Sequence, residues 1–577
     1  MSGNPNIRYE PHEKPPHLLA AVLGGQVVAL IVSGILITPL TVARAAGLSP
    51  EETSWVVFAA LFAAGLSTWL QISRFGKIGS GYVLFVGSNV AFVSVATTAI
   101  QSGGLPLLAT LGALSALSSF LFTWKLGMLR RLLTPAVGGT VTMLMALSVA
   151  PVVWGMIARV PAGFETGPVA PTAMLCTLIP VILISLFGKG MMRLWAPLIG
   201  VLIGSLVGYA LGMVNTAPIR AAAWIGLPAI GWPGLSFDFT PAFWGLLPAF
   251  VLLSLVACLE TFADATTVQR ASHRTERPID FRAIQGAINA DGAGSFLAAL
   301  FGTVPNTVYS SGVAVMELTG VAARRVGFWG GLFMVMLACS PKVAAFIGAI
   351  PSVVAGSFVM VLIALLFGNG LRMVTEGGLA FEEGLAVCLA FWIGIGFQGG
   401  NLFNDRFPEW MQVFLANGTT SGAMAAMTMM GLLSLRRRSR DRVSFPLSPA
   451  SLAQIRPVVH AFSTRLGWDD AAEGRLMLAC EESLLFMLER RVGTEPATSR
   501  ERVHVSFTAV DGEAEVELVC APSDVNVQAA VASLPETGES DPEADLSLRL
   551  LRAMTREIRH LQYHGVDYLL LRVDSRG

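Results

Sequence analysis

Charge is scarce in this chain. Only 14% of its 577 residues are Asp, Glu, Lys or Arg, against roughly 25% in a soluble domain, while 53% are hydrophobic and the mean hydropathy is +0.63. That balance excludes a wholly soluble protein and places most of the chain in lipid. Cysteine pairing is missing too. Cys176, Cys258, Cys339, Cys388, Cys480 and Cys520 are scattered, with no CxxC or metal-ligand spacing. They read as buried free thiols, and no metal site is expected. No histidine falls within an apolar span, which excludes a His-based metal centre in the membrane. The polar stretch from Asn4 to His17 lacks a signal-peptide pattern, so the first span is expected to be kept. No catalytic constellation is found. Neither an enzyme nor a nucleic-acid partner is expected.

What the chain does have is a series of apolar segments of spanning length. They lie near 18–40, 54–73, 104–124, 131–157, 170–188, 194–213, 241–268, 281–301, 326–341, 343–366, 380–397 and 408–434, with shorter, glycine-punctuated segments near 79–99 and 303–320. Together they predict an all-α polytopic membrane protein with fourteen passes. Residues 1–17 form a cytoplasmic tail, 18–434 the membrane domain, 435–446 a basic linker and 447–577 a cytoplasmic α/β domain. Charge bias orients them. Arg74, Lys77, Lys125, Arg130, Arg131, Lys189, Arg193, Arg270, Arg274, Arg277, Arg282, Arg324, Arg325 and Arg372 fall on one side. Only Arg44, Arg159, Arg220, Lys342 and Arg406 fall on the other. Both termini are therefore expected in the cytoplasm, with Arg436, Arg437, Arg438, Arg440 and Arg442 as a basic stop.

The two short segments occupy corresponding places in the two halves, the pattern of an inverted repeat with a site at the midplane. Half-helices ending there leave N–H groups and a positive dipole end facing inward. Gly87-Ser88-Asn89 and Ser310-Ser311-Gly312 are the candidate donors; close packing of small residues is the alternative.

Glu260 and Asp264 stand one helical turn apart at the end of an apolar run. A carboxylate costs about 2.5–3.5 kcal/mol at the centre of a membrane helix even on the lenient scale, so such a residue marks a solute or ion site. At i, i+4 both carboxylates share one face, and in a low-dielectric cavity they resist double ionisation. A pair that holds a proton and releases it on the cytoplasmic side is sufficient for proton symport. Glu260 is assigned to accept N–H donors from a planar heterocycle, and Asp264 to relay the proton. Asn89, Tyr309, Ser310 and Ser311 would complete the hydrogen bonds. The alternative for Asp264 is a cap or a pair with Arg270. Asp291 is expected to tie helices together, and Asn306 with Thr307 to form a structural turn. Glu382 and Glu383 favour a helix N-terminus.

Ile78-Gly79-Ser80-Gly81, followed by Gly87-Ser88-Asn89-Val90-Ala91-Phe92, resembles the third span of nucleobase–ascorbate transporters, the xanthine/uracil permeases. Leu259-Glu260-Thr261-Phe262-Ala263-Asp264 resembles their eighth span, and Asn289-Ala290-Asp291-Gly292-Ala293-Gly294 with Leu300-Phe301-Gly302 their ninth. Pro305-Asn306-Thr307-Val308-Tyr309-Ser310 opens a stretch similar to the family signature, closed by Leu318-Thr319-Gly320. The resemblance covers roughly 18–434 and implies two inverted repeats, core and gate domains, a homodimer and cation-coupled uptake of nucleobases. Departures are specific. Ser311-Gly312 stands where the family carries Glu-Asn, whose glutamate binds a ring N–H of the base. Val90 replaces an aromatic whose backbone faces the base, and Val27 follows Gln26 where a histidine is frequent. Glu317 is an acid at a small apolar position, six residues past Ser311 and on another face.

From about Leu447 the chain changes character. Helices over 450–466 and 469–491 precede strands near 503–510 and 514–520 joined by Asp511-Gly512. A loop over 535–545, a helix near 546–559 and a strand near 568–573 follow. This order resembles the ATPase-like fold of anti-sigma-factor and histidine kinases, carried by Leu478-Ala479-Cys480-Glu481-Glu482. Phe486 stands where that fold holds Mg²⁺ with asparagine, and Ala521-Pro522-Ser523-Asp524 stands where Asp-x-Gly contacts adenine. A regulatory module that does not hydrolyse ATP is expected, with retained nucleotide binding or a dimer-stabilising appendage as alternatives.

The reading is a secondary transporter, a proton-coupled symporter of a purine such as xanthine or urate, or of uracil. It has no cofactor beyond the coupling ion, H⁺ or else Na⁺. Its partners are the solute, membrane lipid, a second copy and a regulatory protein at the tail. The alternatives are transport of an inorganic or carboxylate anion, and a solute-sensing receptor.

Overall fold

The computed structural model describes residues 7–124, 135–160, 167–228, 231–274, 279–375, 381–398, 417–436, 441–446, 451–489, 502–510, 513–520, 546–563 and 566–574, with a few isolated positions between. The chain divides into two compact units, Ser2–Thr275 with Gly286–Ser434, and Leu435–Gly577 with Glu276–Gln285.

The first unit is helical. Its long elements are His17–Ala46, Pro50–Ile72, Val93–Trp124, Pro135–Ala158, Val169–Phe187, Met191–Ala210, Pro241–Ala271, Arg324–Ala338, Ser352–Thr375 and Phe381–Phe397, with Phe281–Leu300 from Gly286 onward and Gly418–Arg436 as far as Ser434. Their ends follow local chemistry. Gly47, at φ 77°, closes the first helix in a left-handed conformation that its missing Cβ permits. Ser49 and Glu52 form a reciprocal capping box on the second, with Pro50 at the first helical position. Between the helices of Pro135–Ala158 and Ser352–Thr375, a Cβ on Gly139 would lie 2.5 Å from the Gly370 carbonyl. Only small residues allow backbones that close.

Among the described residues, eight helices are long and apolar enough to cross a membrane, or nine if the pair Arg324–Ala338 and Pro341–Gly348, bent by 77°, is one span. The expected boundary between spans 326–341 and 343–366 moves. Helix Arg324–Ala338 stops short, Pro341–Gly348 is a separate turn, and the next long helix starts only at Ser352. Pro341 and Pro351 cause this, since a proline lacks the N–H that would continue a helix through it.

Two segments are not helical throughout. β1 (Val86–Ser88) pairs antiparallel with β2 (Asn306–Val308), Gly87 opposite Thr307. A 3₁₀ turn over Val90–Phe92 leads from β1 into the Val93–Trp124 helix, which breaks at Gly103 and Gly104. Helix Ser310–Thr319 follows β2.

The second unit is a two-layer α/β domain. β3 (Asp441–Pro446), β4 (Arg502–Val510), β5 (Glu513–Cys520), β6 (Glu557–Tyr563) and β7 (Val566–Val573) form a sheet in the order β3-β4-β5-β7-β6, every pairing antiparallel. Alternate residues of β5 are buried against helices Ser451–Leu466, Asp470–Glu489 and Leu546–Met554, with Ile455, Phe462, Leu484 and Leu551 in the shared core. Two expectations need correcting. The segment read as a linker contains β3, paired along its length with β4. The helix expected over 546–559 ends at Met554, because Glu557–Tyr563 joins β7 as an edge strand with His560 turned inward. Phe486 is buried in the core. The Asp511-Gly512 turn, Ala521–Asp524 and the 535–545 loop lie outside the described residues, as do Lys125, Arg130, Arg131, Arg277, Arg437, Arg438 and Arg440.

Candidate functional site

The β1–β2 ladder positions the site. Beyond its three paired residues, Asn89 N–H donates to Pro305 O at 3.0 Å and Tyr309 N–H to Phe85 O at 2.8 Å. The two interrupted segments are thus bound to each other by backbone. Gly87 permits the approach: a Cβ there would lie 2.6 Å from Ile35 Cγ1 and 2.9 Å from Tyr309 Cζ. The Tyr309 hydroxyl donates to Ser88 O at 2.8 Å, and Ser88 Oγ to Ile35 O at 3.1 Å, which fixes the ladder to the first helix.

Helix N-termini open at both ends of this ladder. Asn89 caps the 3₁₀ turn, its Oδ1 accepting from Ala91 N–H at 2.9 Å. Val90 follows, half-buried. On the other segment Tyr309 is the N-cap residue without a side-chain cap bond, and Ser310 and Ser311 occupy the first turn. The proposed donor set is therefore smaller than the sequence implies, because Asn89 N–H is bonded to Pro305 and Gly312 N–H to Tyr309 O. Gly312 is buried against Phe85, whose Cδ2 would lie 2.9 Å from an added Cβ.

The acids come from the Pro241–Ala271 helix, started by Thr240 accepting from Phe243 N–H. Both Glu260 and Asp264 are half-buried. Ser310 Oγ donates to Asp264 Oδ1 at 2.8 Å, so the acidic helix is joined to the half-helix N-terminus. Among the described residues no ion pair joins Asp264 to Arg270. Among the described residues the Glu260 carboxylate makes no hydrogen bond or ion pair. It is the one acid of the pair left open to a ligand.

Asp291 is 3% exposed and accepts from Thr261 Oγ1 at 3.0 Å, linking the Phe281–Leu300 helix to the acidic one. Asn306 donates from Nδ2 to Ser67 Oγ at 3.2 Å, and its carbonyl accepts from Ser295 Oγ at 2.9 Å. Sequence reasoning missed Thr261, Ser67 and Ser295. A usable signal existed, since Ser295 lies one turn past Asp291 on the same helical face. Glu317 sits exposed on the Ser310–Thr319 helix.

The N-terminal segment clamps the far ends of these elements. Tyr9 bridges Val321, with Arg8 N–H donating to Gly320 O at 2.7 Å and Ala322 N–H to Tyr9 O at 2.8 Å. Arg274, just beyond the acidic helix, binds both oxygens of Glu13 at 2.8 Å and donates to the carbonyls of Ile7 and Arg8. The Arg274 guanidinium holds the Glu13 carboxyl below its ordinary range.

Known proteins resemble the chain at this architecture. A family model described as the permease family, of the xanthine/uracil type, matches residues 19–403. A putative purine permease of Clostridium perfringens is 28% identical over 416 residues, covering 71% of this chain and 90% of its own length. The xanthine permease XanP of Escherichia coli is 26% identical over 445 residues, covering 74% and 95%. The murine Solute Carrier 26 family member A9 anion transporter shares the fold. Its TM-score is 0.51 at 13% identity, over 75% of this chain and 71% of that one.

Proposed function

The chain belongs to the xanthine/uracil permease family, and from that premise we propose that it carries a nucleobase across the membrane by proton symport. As a member of that family it is a multi-pass integral membrane transporter rather than an enzyme. The reading takes the membrane unit as fourteen passes in two inverted repeats, core and gate, with both termini cytoplasmic as the charge bias requires. It works as a homodimer.

One observation carries the proposal. Glu260 is a half-buried carboxylate on a long apolar helix with no protein partner among the described residues, beside a second acid held by Ser310. An acid kept there at a cost of about 2.5–3.5 kcal/mol needs a ligand that repays it. A planar base with ring N–H groups does so, donating to Glu260 while Ser311 and the free end of the half-helix face its carbonyls. Two carboxylates one turn apart repel when both are charged, and sharing a proton removes the repulsion. Opening to the cytoplasm restores solvent, the proton leaves, and the base loses its grip. Because Ser311 replaces the family's second acid, recognition of ring N–H donors rests on Glu260 alone. A purine such as xanthine or urate, or uracil, fits that requirement, and the α/β unit regulates the cycle.

Radiolabelled uptake into proteoliposomes with an imposed pH gradient is the test, run beside a thermal-shift screen of bases and anions. Expected are gradient-driven uptake of a base and stabilisation by that base alone. Glu260→Gln is expected to abolish uptake while inserting normally. Stabilisation by anions only, or normal pH-dependent transport by Glu260→Gln, would remove the proposal.

A further inference from the structure

A basic and aromatic rim surrounds the end of the Pro50–Ile72 helix. That helix has 23 residues and so spans about 34 Å at 1.5 Å per residue, enough to cross the hydrocarbon. The chain then turns tightly: Phe75 N–H donates to Ile78 O and Ile78 N–H to Phe75 O, both at 2.9 Å, with Gly76 at φ 56°. The turn is held from behind by Asn289 Nδ2 on Lys77 O at 2.8 Å and by Gly79 N–H on Gly286 O at 2.9 Å. This fixed tip presents Phe75, 74% exposed, between the exposed side chains of Arg74 and Lys77.

Arg324 reaches the same turn, and Arg325 follows it in sequence. Arg324 Nε donates to Gly81 O at 2.6 Å, and a Cβ on Gly81 would lie 2.5 Å from Arg324 Nη2 and 3.1 Å from Arg74 Cδ. Arg325 donates to Pro15 O at 2.8 Å. Among the described residues Lys77, Arg324 and Arg325 have no carboxylate partner. The level of the membrane surface is marked beside them: Trp69 stacks on Phe328 at 6.0 Å and donates to its carbonyl, and Trp329 follows. Such aromatic belts lie at the headgroups.

We propose that this rim binds the headgroup of an anionic phospholipid. Arg324 and Arg325, both half-buried, each use part of the guanidinium on a backbone carbonyl and pair the rest with no carboxylate among the described residues. That leaves fixed N–H donors suited to a phosphodiester, with Lys77 as a point charge. Phe75 enters the headgroup layer, and Trp69 with Phe328 lines the first part of the acyl chains. The bound lipid rests against the turn that leads into β1, and it does not depend on which solute is carried.

Native mass spectrometry of the full chain, offered equal phosphatidylglycerol and phosphatidylcholine in mild detergent, tests this. Preferential retention of phosphatidylglycerol is expected, falling about fivefold for each cation removed in Lys77→Gln and in Arg324→Gln with Arg325→Gln. Equal retention of the two lipids, or an undiminished preference in the variants, overturns the proposal. Displacement by inorganic phosphate overturns it as well, since the site would then serve the free anion. If a variant does not insert, the wild-type protein still decides: the preference must fade between about 0.1 M and about 0.5 M salt. A salt-insensitive preference means that annular lipid or another protein surface covers the rim.

Discussion

Ser310, the first residue of its helix, donates a 2.8 Å hydrogen bond to Asp264 on the long acidic helix. One hydroxyl thus joins the two elements that carry the proposed site. It also separates the acids by role, since Asp264 is engaged and Glu260 is open.

Ser310→Ala leaves Asp264 without that donor. A hydrogen bond to a charged group contributes roughly 1.5–3 kcal/mol, so uptake efficiency is expected to fall about tenfold or more. The pH profile of uptake is expected to move with it, because the pair proposed to share a proton has lost a partner. An unchanged profile with lower uptake would assign Ser310 to packing instead.

Gly87→Val forces a side chain into the space held by Ile35 and Tyr309. Overpacking of this kind costs about 1–3 kcal/mol, and here the β1–β2 ladder must open to admit it. Thermal stability in detergent is expected to drop, and uptake with it. A variant as stable as wild type would mean that the ladder yields easily.

The Glu13–Arg274 pair offers a control on pH dependence. Arg274 holds the Glu13 carboxyl below its ordinary value, so the pair's contribution is complete above the unfolded carboxylate range near 4.5. It is lost only as pH falls through the lower folded value. Glu13→Gln is therefore expected to leave the shape of the uptake profile between about pH 5 and pH 8 unchanged. A shifted profile in that window would place Glu13 in the proton path.

In the α/β unit, Cys480 and Cys520 are buried, and burial raises both thiols, Cys520 to about 12. Thiolate is the reactive form, so maleimide at neutral pH is expected to leave both unmodified until the domain is unfolded. Mass spectrometry of the labelled peptides checks this, and rapid labelling in the folded protein would contradict the core described.

Local patterns were readable from residues alone. The apolar runs marked the eight or nine helices long and apolar enough to cross a membrane among the described residues, and the i, i+4 spacing of Glu260 and Asp264 put both on one face. What escaped was contact between distant residues. Nothing in the spacing of Ser310 indicates that its partner is Asp264, 46 residues earlier, rather than a base or a backbone group. Glu557 to Arg559, the start of a strand, looked helical because they continue directly from an amphipathic helix, and only pairing with β7 decides it. The break near Pro341 was read from the chain, but the second one at Pro351 was outweighed by continuous hydrophobicity. The anchoring of Ile7 to Glu13 has no local signal, as its partners Arg274, Gly320 and Val321 lie far along the chain.

That anchoring has a bearing on biogenesis. Glu13 meets Arg274 across 261 residues, and Tyr9 meets Val321, so this segment is made well before either partner it docks on. During synthesis it must wait, unfastened, until the chain as far as Val321 has been made. Its latching then acts as a checkpoint that no chain halted short of Val321 can satisfy.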